Sequence, residues 1–160
     1  MKKFLLAVVS AAVLLIVPSA HYPTSANSLV GDDVPDLAVS NGNKSVKIGE
    51  LRGSYLLLSF WSSTDPESRI ANKAYNDLFL TENCNVKYVA INLDPSSTVF
   101  SEIVKIDNLD AVNQFYIDNA SKLSVSEDFN LRSGYVSLLI SPEGEVIAQN
   151  PSVDYIKSIA

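Results

Sequence analysis

Three acidic residues lie where the chain could carry out acid–base or metal chemistry. Asp65 and Glu67 follow the apolar segment 55–61, and Asp94 ends the apolar segment 86–94. If these segments are neighbouring parallel strands, the three carboxylates converge at the sheet edge where α/β proteins bind ligands. Such a group could bind a divalent cation or transfer protons. The favoured alternative is that Asp65 and Glu67 stabilise the start of a helix and Asp94 ends a strand.

Cys84 is the single cysteine of the chain, and it stands in the polar sequence Glu82-Asn83-Cys84-Asn85. One cysteine excludes an intramolecular disulfide and a multi-cysteine zinc site. No Lys, Arg or His is adjacent in sequence to lower the pKa of the thiol. A structural or incidental role is therefore favoured, and a disulfide between two chains is the other option for an odd cysteine.

Residues 1–26 have the pattern of a secretory signal peptide. Lys2 and Lys3 precede the apolar run 4–17, and small residues follow it. The run is shorter than the roughly 20 residues that a membrane-spanning helix needs. We therefore expect cleavage after Ala26, with Ala20 as the alternative, and export to the periplasm or beyond without a membrane anchor.

The charge balance narrows the possible partners. The 160-residue chain has 12 Lys and Arg against 18 Asp and Glu, with a formal net charge of −6. Cleavage would make it more acidic and would remove His21, the only histidine and the usual general base at neutral pH. An acidic chain without a basic cluster is not expected to bind nucleic acid or anionic lipid.

The hydrophobic pattern predicts the elements that position these residues. After an exposed lead-in, 27–36, the Asn41-Gly42 pair predicts a hairpin. Strands and helices then alternate, which predicts parallel strands joined by right-handed crossovers. A closing hairpin around 142–145 adds antiparallel strands. The predicted strands are 55–61, 86–94, 114–118, 135–141 and 146–148, and the later helices are 96–105, 121–129 and 153–159.

The helix after segment 55–61 has a well-marked start. Thr64 or Asp65 can cap it, Pro66 suits its first turn, and Thr64 with Glu67 matches a capping box. Apolar residues at spacings of three and four predict its buried face, namely Ile70, Ala71, Ala74, Leu78 and Phe79.

Four segments in this order resemble the thioredoxin-like superfamily, and most closely the envelope thiol–disulfide oxidoreductases of the TlpA/ResA type and related peroxiredoxin-like domains. The segments are 35–37 with 46–53, the strand 55–61 ending in Phe-Trp, the strand 88–94, and the hairpin 138–146. The resemblance covers residues 34–160. It implies an α/β domain over 37–160, a three-layer α/β/α sandwich with a mixed central sheet and an N-terminal hairpin.

The family's redox motif is absent from the matching position. In the family, three residues follow Phe-Trp, and Cys-x-x-Cys then opens the helix; here the same register gives Asp65-Pro66-Glu67-Ser68. Asp65 takes the place of the attacking cysteine and Ser68 that of the resolving one. Neither a carboxylate nor a hydroxyl group can form a disulfide. We therefore assign no catalytic residue to the motif positions.

A second departure concerns the family's cis-proline, whose position is taken by Tyr135, after Gly134. A cis bond before a residue other than proline costs about 2.5–4 kcal/mol, so we expect a trans bond. Trp61, Tyr135 and Tyr88 could line an aromatic surface beside the motif, or could belong to the core. The candidate binding residues are Trp61, Thr64, Asp65, Glu67, Gly134 and Tyr135.

These observations favour an exported, redox-inactive thioredoxin-like module that binds an envelope protein, a peptide or a small ligand. No cofactor or metal is implied, and Arg69 and Arg132 are expected to pair with surface acids. The rival hypothesis is a thiol–disulfide oxidoreductase or peroxiredoxin-like enzyme that uses Cys84 or a cysteine from a partner chain.

Overall fold

The computed structural model describes residues 28–42 and 44–159, so the predicted signal peptide lies outside the described residues. The strands are β1 (Ala38–Ser40), β2 (Ser45–Lys47), β3 (Tyr55–Trp61), β4 (Val86–Asn92), β5 (Gln114–Tyr116), β6 (Ser137–Ile140) and β7 (Val146–Gln149). The helices are α1 (Pro66–Thr81), α2 (Ser97–Ile106), α3 (Lys122–Asp128) and α4 (Val153–Ile159). Within this described part, no helix is long and apolar enough to cross a membrane.

Five strands form the central sheet in the order β5-β4-β3-β6-β7. The pairs β3/β4 and β4/β5 are parallel, whereas β3/β6 and β6/β7 are antiparallel. The predicted N-terminal hairpin forms as β1 and β2, which pair as a separate antiparallel sheet. The mixed sheet predicted from the alternating pattern is therefore confirmed.

Both faces of the sheet are covered, because alternate residues of the apolar strand β3 point to opposite sides. Leu56, Leu58 and Phe60 pack in one cluster with α3 residues and the hairpin. Leu57 and Trp61 pack in the other cluster with residues of α1, α2 and α4. This arrangement confirms the predicted three-layer α/β/α sandwich.

The buried face of α1 differs from the prediction. Ile70 is 70% exposed and Ala74 is exposed, whereas Asn72 and Asn76 are buried. Their amide groups are satisfied inside the protein: Asn72 accepts a hydrogen bond from the Tyr88 hydroxyl, and Asn76 accepts one from the main-chain N–H of Asp110 at 2.7 Å. Apolar spacing does not detect a helix face that is buried through hydrogen bonds.

Three of the predicted strands extended one or two residues too far. Asp94 lies beyond the end of β4, Asp118 lies beyond β5, and Tyr135 precedes β6. These residues lie outside the strands, at the same end of the sheet as the turn between β3 and α1. They are therefore available to the site formed there.

Candidate functional site

The turn between β3 and α1, residues 62–65, which we call the motif turn, is held by hydrogen bonds around the start of the helix. Asp65 is the N-cap residue, and its Oδ1 accepts a hydrogen bond from the Ser68 N–H at 2.7 Å. Asp65 is thus the cap among the two candidates, and the Thr64–Glu67 capping box does not form. Glu67 lies in the first turn of α1 and is exposed.

Ser68 is the residue that the sequence resemblance predicts at the position of the family's second cysteine. The side chain is buried, with 8% of its surface exposed. Its Oγ donates to the Asp65 carbonyl oxygen at 3.2 Å and accepts from the Ser62 N–H at 3.3 Å. Ser68 therefore closes the turn by hydrogen bonds instead of presenting a reactive group to solvent.

Asp94 lies beneath this turn and is almost completely buried, with 1% exposed. Its Oδ1 accepts from the Ser62 hydroxyl at 2.5 Å and the Ser63 N–H at 2.8 Å, and its Oδ2 accepts from the Asn92 amide at 3.0 Å. Burial alone would raise the pKa of Asp94, but these hydrogen bonds to the ionised form outweigh it and lower that pKa. The carboxylate therefore stabilises the turn as an anion.

The three acids considered together in the sequence have separate roles. Asp65 caps α1, Asp94 bonds to the turn, and Glu67 is exposed. Among residues 28–42 and 44–159, no group of three or more His, Cys, Asp or Glu side chains could hold a metal ion. The structural alternative for Asp65 is confirmed, and Asp94 additionally joins the ends of β3 and β4.

The aromatic residues are mostly internal. Trp61 is fully buried and packs against Phe100, with ring centroids 6.0 Å apart, and Tyr88 is also buried. The interpretation of Trp61 and Tyr88 as part of an aromatic surface is therefore wrong, because both belong to the core beneath α1 and α2. Sequence alone could not distinguish these alternatives, since strand-end aromatics are common in both settings.

Tyr135 and Gly134 lie beside the end of β3. The Phe60 N–H donates to the Val136 carbonyl at 2.9 Å. This hydrogen bond holds the segment before β6 against the end of β3. Gly134 is exposed and Tyr135 is half-buried. No peptide bond among the described residues is cis, which confirms the expected trans bond before Tyr135.

A groove of about 400 Å³ runs from the turn along α1, lined by Ser63, Pro66, Arg69, Ile70, Lys73 and Asp107. Arg69 forms a bidentate pair with Asp107, with both N–O distances 2.6 Å. The pair lowers the pKa of Asp107 and raises that of Arg69. Ile70 is an exposed apolar wall of the groove. Apolar spacing along α1 does not predict this surface, because it places Ile70 on the buried face of the helix.

Two further expectations concern residues outside the groove. Arg132 pairs with Glu127 at 2.6 Å, so both arginines near this edge bind acids as predicted. Cys84 is half-buried and follows the other end of α1. The 16 residues of α1 span about 24 Å at 1.5 Å per residue, which separates the thiol from the motif turn.

Comparisons with solved structures assign this geometry to a known fold. The chain is similar to a thioredoxin-like protein from Parabacteroides distasonis (28% identity, TM-score 0.68, covering 81% of this chain and 93% of that one). It also resembles the thioredoxin domain of a thiol-disulfide oxidoreductase from Bacteroides vulgatus (17%, 0.69, covering 81% and 94%). StoA from Bacillus subtilis matches at 16% identity and TM-score 0.62, covering 78% and 96%. No family model and no curated protein matches the chain.

Proposed function

We propose that this chain, a member of the thioredoxin-like superfamily, is an exported module that binds a protein or peptide at its motif turn without thiol chemistry. The observation that carries the proposal is the hydrogen bonding that joins the motif turn to the first residues of α1. By the register of the resemblance, Asp65 and Ser68 stand where the family has its two cysteines, and hydrogen bonds between them close the start of α1. The fold of the superfamily is thus kept around a turn that has no nucleophilic sulfur.

The lone thiol gives no support to exchange within this chain. Cys84 lies beyond the end of α1 that is far from Asp65. It is therefore too distant to replace a motif cysteine, because the two Cα atoms of a disulfide lie less than about 7 Å apart. Thiol–disulfide exchange also needs a second sulfur to release the mixed disulfide. An oxidoreductase built from this chain would therefore need a cysteine from a partner.

The surface around the turn has the composition of a protein-binding site. Ile70 and Pro66 supply apolar contacts, and the Arg69–Asp107 pair forms a polar margin. Apolar centres with polar margins are typical of protein interfaces. Exposed Thr64 belongs to the turn itself, and half-buried Tyr135 precedes β6, which runs antiparallel to β3, so Tyr135 lies at the same end of the sheet.

An insulin-reduction assay on residues 27–160 separates the proposal from the oxidoreductase alternative. We expect no turnover above that of Cys84→Ser, because the turn offers no thiolate. A double variant, Asp65→Cys/Ser68→Cys in the Cys84→Ser background, should gain turnover, since a thiol at the helix start has a lowered pKa. Wild-type turnover that disappears in Cys84→Ser would contradict the proposal, and a folded but inert double variant would contradict the motif register.

Site-directed crosslinking tests the binding surface itself. A photo-reactive amino acid at exposed Thr64 should yield a discrete adduct with an envelope protein or peptide. The same group at Ser158, exposed on α4, is the matched control and should yield none. Equal yields from both positions would show that the turn is not the binding surface.

A further inference from the structure

A second groove lies at the other end of the central strands from the motif turn. It has a volume of about 350 Å³, and its lining includes Lys44, Cys84, Val86, Lys87 and Tyr88. It borders the beginning of β4, and we call it the β4 groove.

The β4 groove lies where β4 lacks a neighbouring strand. β4 pairs with β3 along its whole length, but with β5 only from Ala90 to Asn92. Among the described residues, no strand lies beside 86–89 on the β5 side. The sheet therefore has a gap in strand pairing over these four residues. Residues 111–113 border the gap and contact β4, and Val86, Tyr88 and Val89 are buried, so an extended segment could pair here only by displacing 111–113.

The main-chain groups of β4 are directed in a way that suits such a segment. The Asn92 carbonyl accepts from Ile117 on the β5 side, whereas the Leu93 N–H donates to Trp61 on the β3 side. Since successive residues of a strand direct their N–H and C=O groups to opposite neighbours, Val86 and Tyr88 direct theirs to the same side as Asn92. Two residues thus present main-chain groups toward the β4 groove.

The charge of the β4 groove differs from that of the whole chain. Within the described ranges, neither Lys44 nor Lys87 forms an ion pair, whereas Lys47, Lys73, Lys105 and Lys157 each pair with an acid. The acid that lines this groove, Glu82, is already paired with Lys157. The groove is therefore a positive patch on an acidic protein.

We propose that the β4 groove binds an extended segment of a partner protein that carries acidic side chains at alternate positions. The segment would add a strand beside residues 86–89, with main-chain hydrogen bonds to Val86 and Tyr88. Alternate side chains of a strand share one face, so acidic ones can all approach Lys44 and Lys87. This site is distinct from the motif turn and does not depend on the function proposed there.

The competing interpretation is that the lysines keep this edge unpaired. Natural proteins place lysine on exposed strand edges to prevent pairing with other chains. That interpretation predicts no strand addition at all, whereas the proposal predicts binding that favours acidic over basic segments.

Binding to peptide libraries distinguishes these outcomes. One library contains ten-residue peptides with glutamate at alternate positions, and the second has lysine at those positions. We expect members of the glutamate library to bind residues 27–160, with affinity that falls as salt is added. In hydrogen exchange, the amides of Val86 and Tyr88 should become protected on binding, with little change at Val89, which faces β3. Absence of binding from the glutamate library, or equal binding of both libraries, would overturn the proposal.

Charge reversal provides the matched control. Lys44→Glu/Lys87→Glu should weaken peptide binding at least tenfold, whereas Lys47→Glu/Lys105→Glu changes the net charge equally outside the β4 groove and should stay within twofold. Thermal unfolding of both variants establishes that each is folded. Equal losses in the two variants would overturn the proposal. Ile70→Arg should leave this binding unchanged, so its result also separates the β4 groove from the motif turn.

Discussion

Asp94 is a buried carboxylate stabilised by hydrogen bonds from Ser62, Ser63 and Asn92. Its pKa is lowered in the folded protein, so folding favours the ionised form. Such a group contributes stability above its unfolded pKa of about 3.9 and loses that contribution as the pH falls through its folded pKa. The turn is therefore held fully at neutral pH and weakened only in acid.

We predict that Asp94→Asn destabilises the protein by about 1–3 kcal/mol at pH 7. The amide replaces one accepting oxygen by an NH2 group, so at least one of the donors from Ser62, Ser63 and Asn92 loses its acceptor. Urea unfolding at pH 7 measures this loss. Below pH 4, the free energy of unfolding should fall less steeply in the variant than in the wild type. Asp128→Asn, at an exposed position, is the control and should change neither quantity. Unchanged stability and an unchanged acid response in Asp94→Asn would contradict this role.

The position of Asp94 could be predicted from sequence, but its partners could not. A polar residue after an apolar run predicts a strand end, and Asp94 is found there. Its bonds to Ser62 and Ser63 cross 32 and 31 residues of chain. They depend on the register of β3 against β4, which no local pattern specifies.

Helix α1 links the motif turn to the core, and its start depends on one side chain. The Asp65 carboxylate accepts from the Ser68 N–H, so it satisfies one of the N–H groups that every helix leaves free at its start. Thr64 bonds to the Ser62 hydroxyl at 2.9 Å and has no part in the cap. Thr64 and Asp65 were the two candidates for the cap, and mutation of each should therefore have a different effect on stability.

We predict that Asp65→Ala lowers the free energy of unfolding by about 1 kcal/mol, the usual loss for a removed N-cap. Thr64→Ala is the neighbouring control and should cost clearly less. Chemical denaturation of both variants gives the comparison. Equal losses, or a larger loss for Thr64→Ala, would indicate that Asp65 is not the effective cap.

The start of α1 could be predicted better than its buried face. Capping depends on adjacent residues, so the sequence contained Asp65, Pro66 and Glu67 as a local signal. Burial of Asn72 depends on Tyr88 and Gln114, which come from two other strands. The spacing of apolar residues cannot predict the burial of a polar residue whose partners are that distant in sequence. It therefore placed Ile70, and not Asn72, on the buried face of α1.

At the scale of the molecule, the two hydrophobic clusters share the central sheet. β3 contributes Phe60 to the cluster under α3 and Trp61 to the cluster under α1 and α2. Its continuous apolar sequence predicted this double burial, because a strand covered on both faces has no polar alternation. The gap beside β4 was not predictable, since it depends on where β5 begins to pair.

Because both clusters pack on the same sheet, we predict that a mutation in the cluster on one face also destabilises the cluster on the other face. Phe129 is buried against Phe60, with ring centroids 4.7 Å apart, so Phe129→Ala should cost about 3–5 kcal/mol. Trp61, the only tryptophan, lies on the opposite face and reports unfolding there by fluorescence. In Phe129→Ala, we expect the unfolding midpoint measured by Trp61 fluorescence to fall together with the midpoint measured by circular dichroism, because the same strands carry both clusters. A Trp61 transition that keeps its wild-type midpoint while circular dichroism shifts would show instead that the two faces unfold independently.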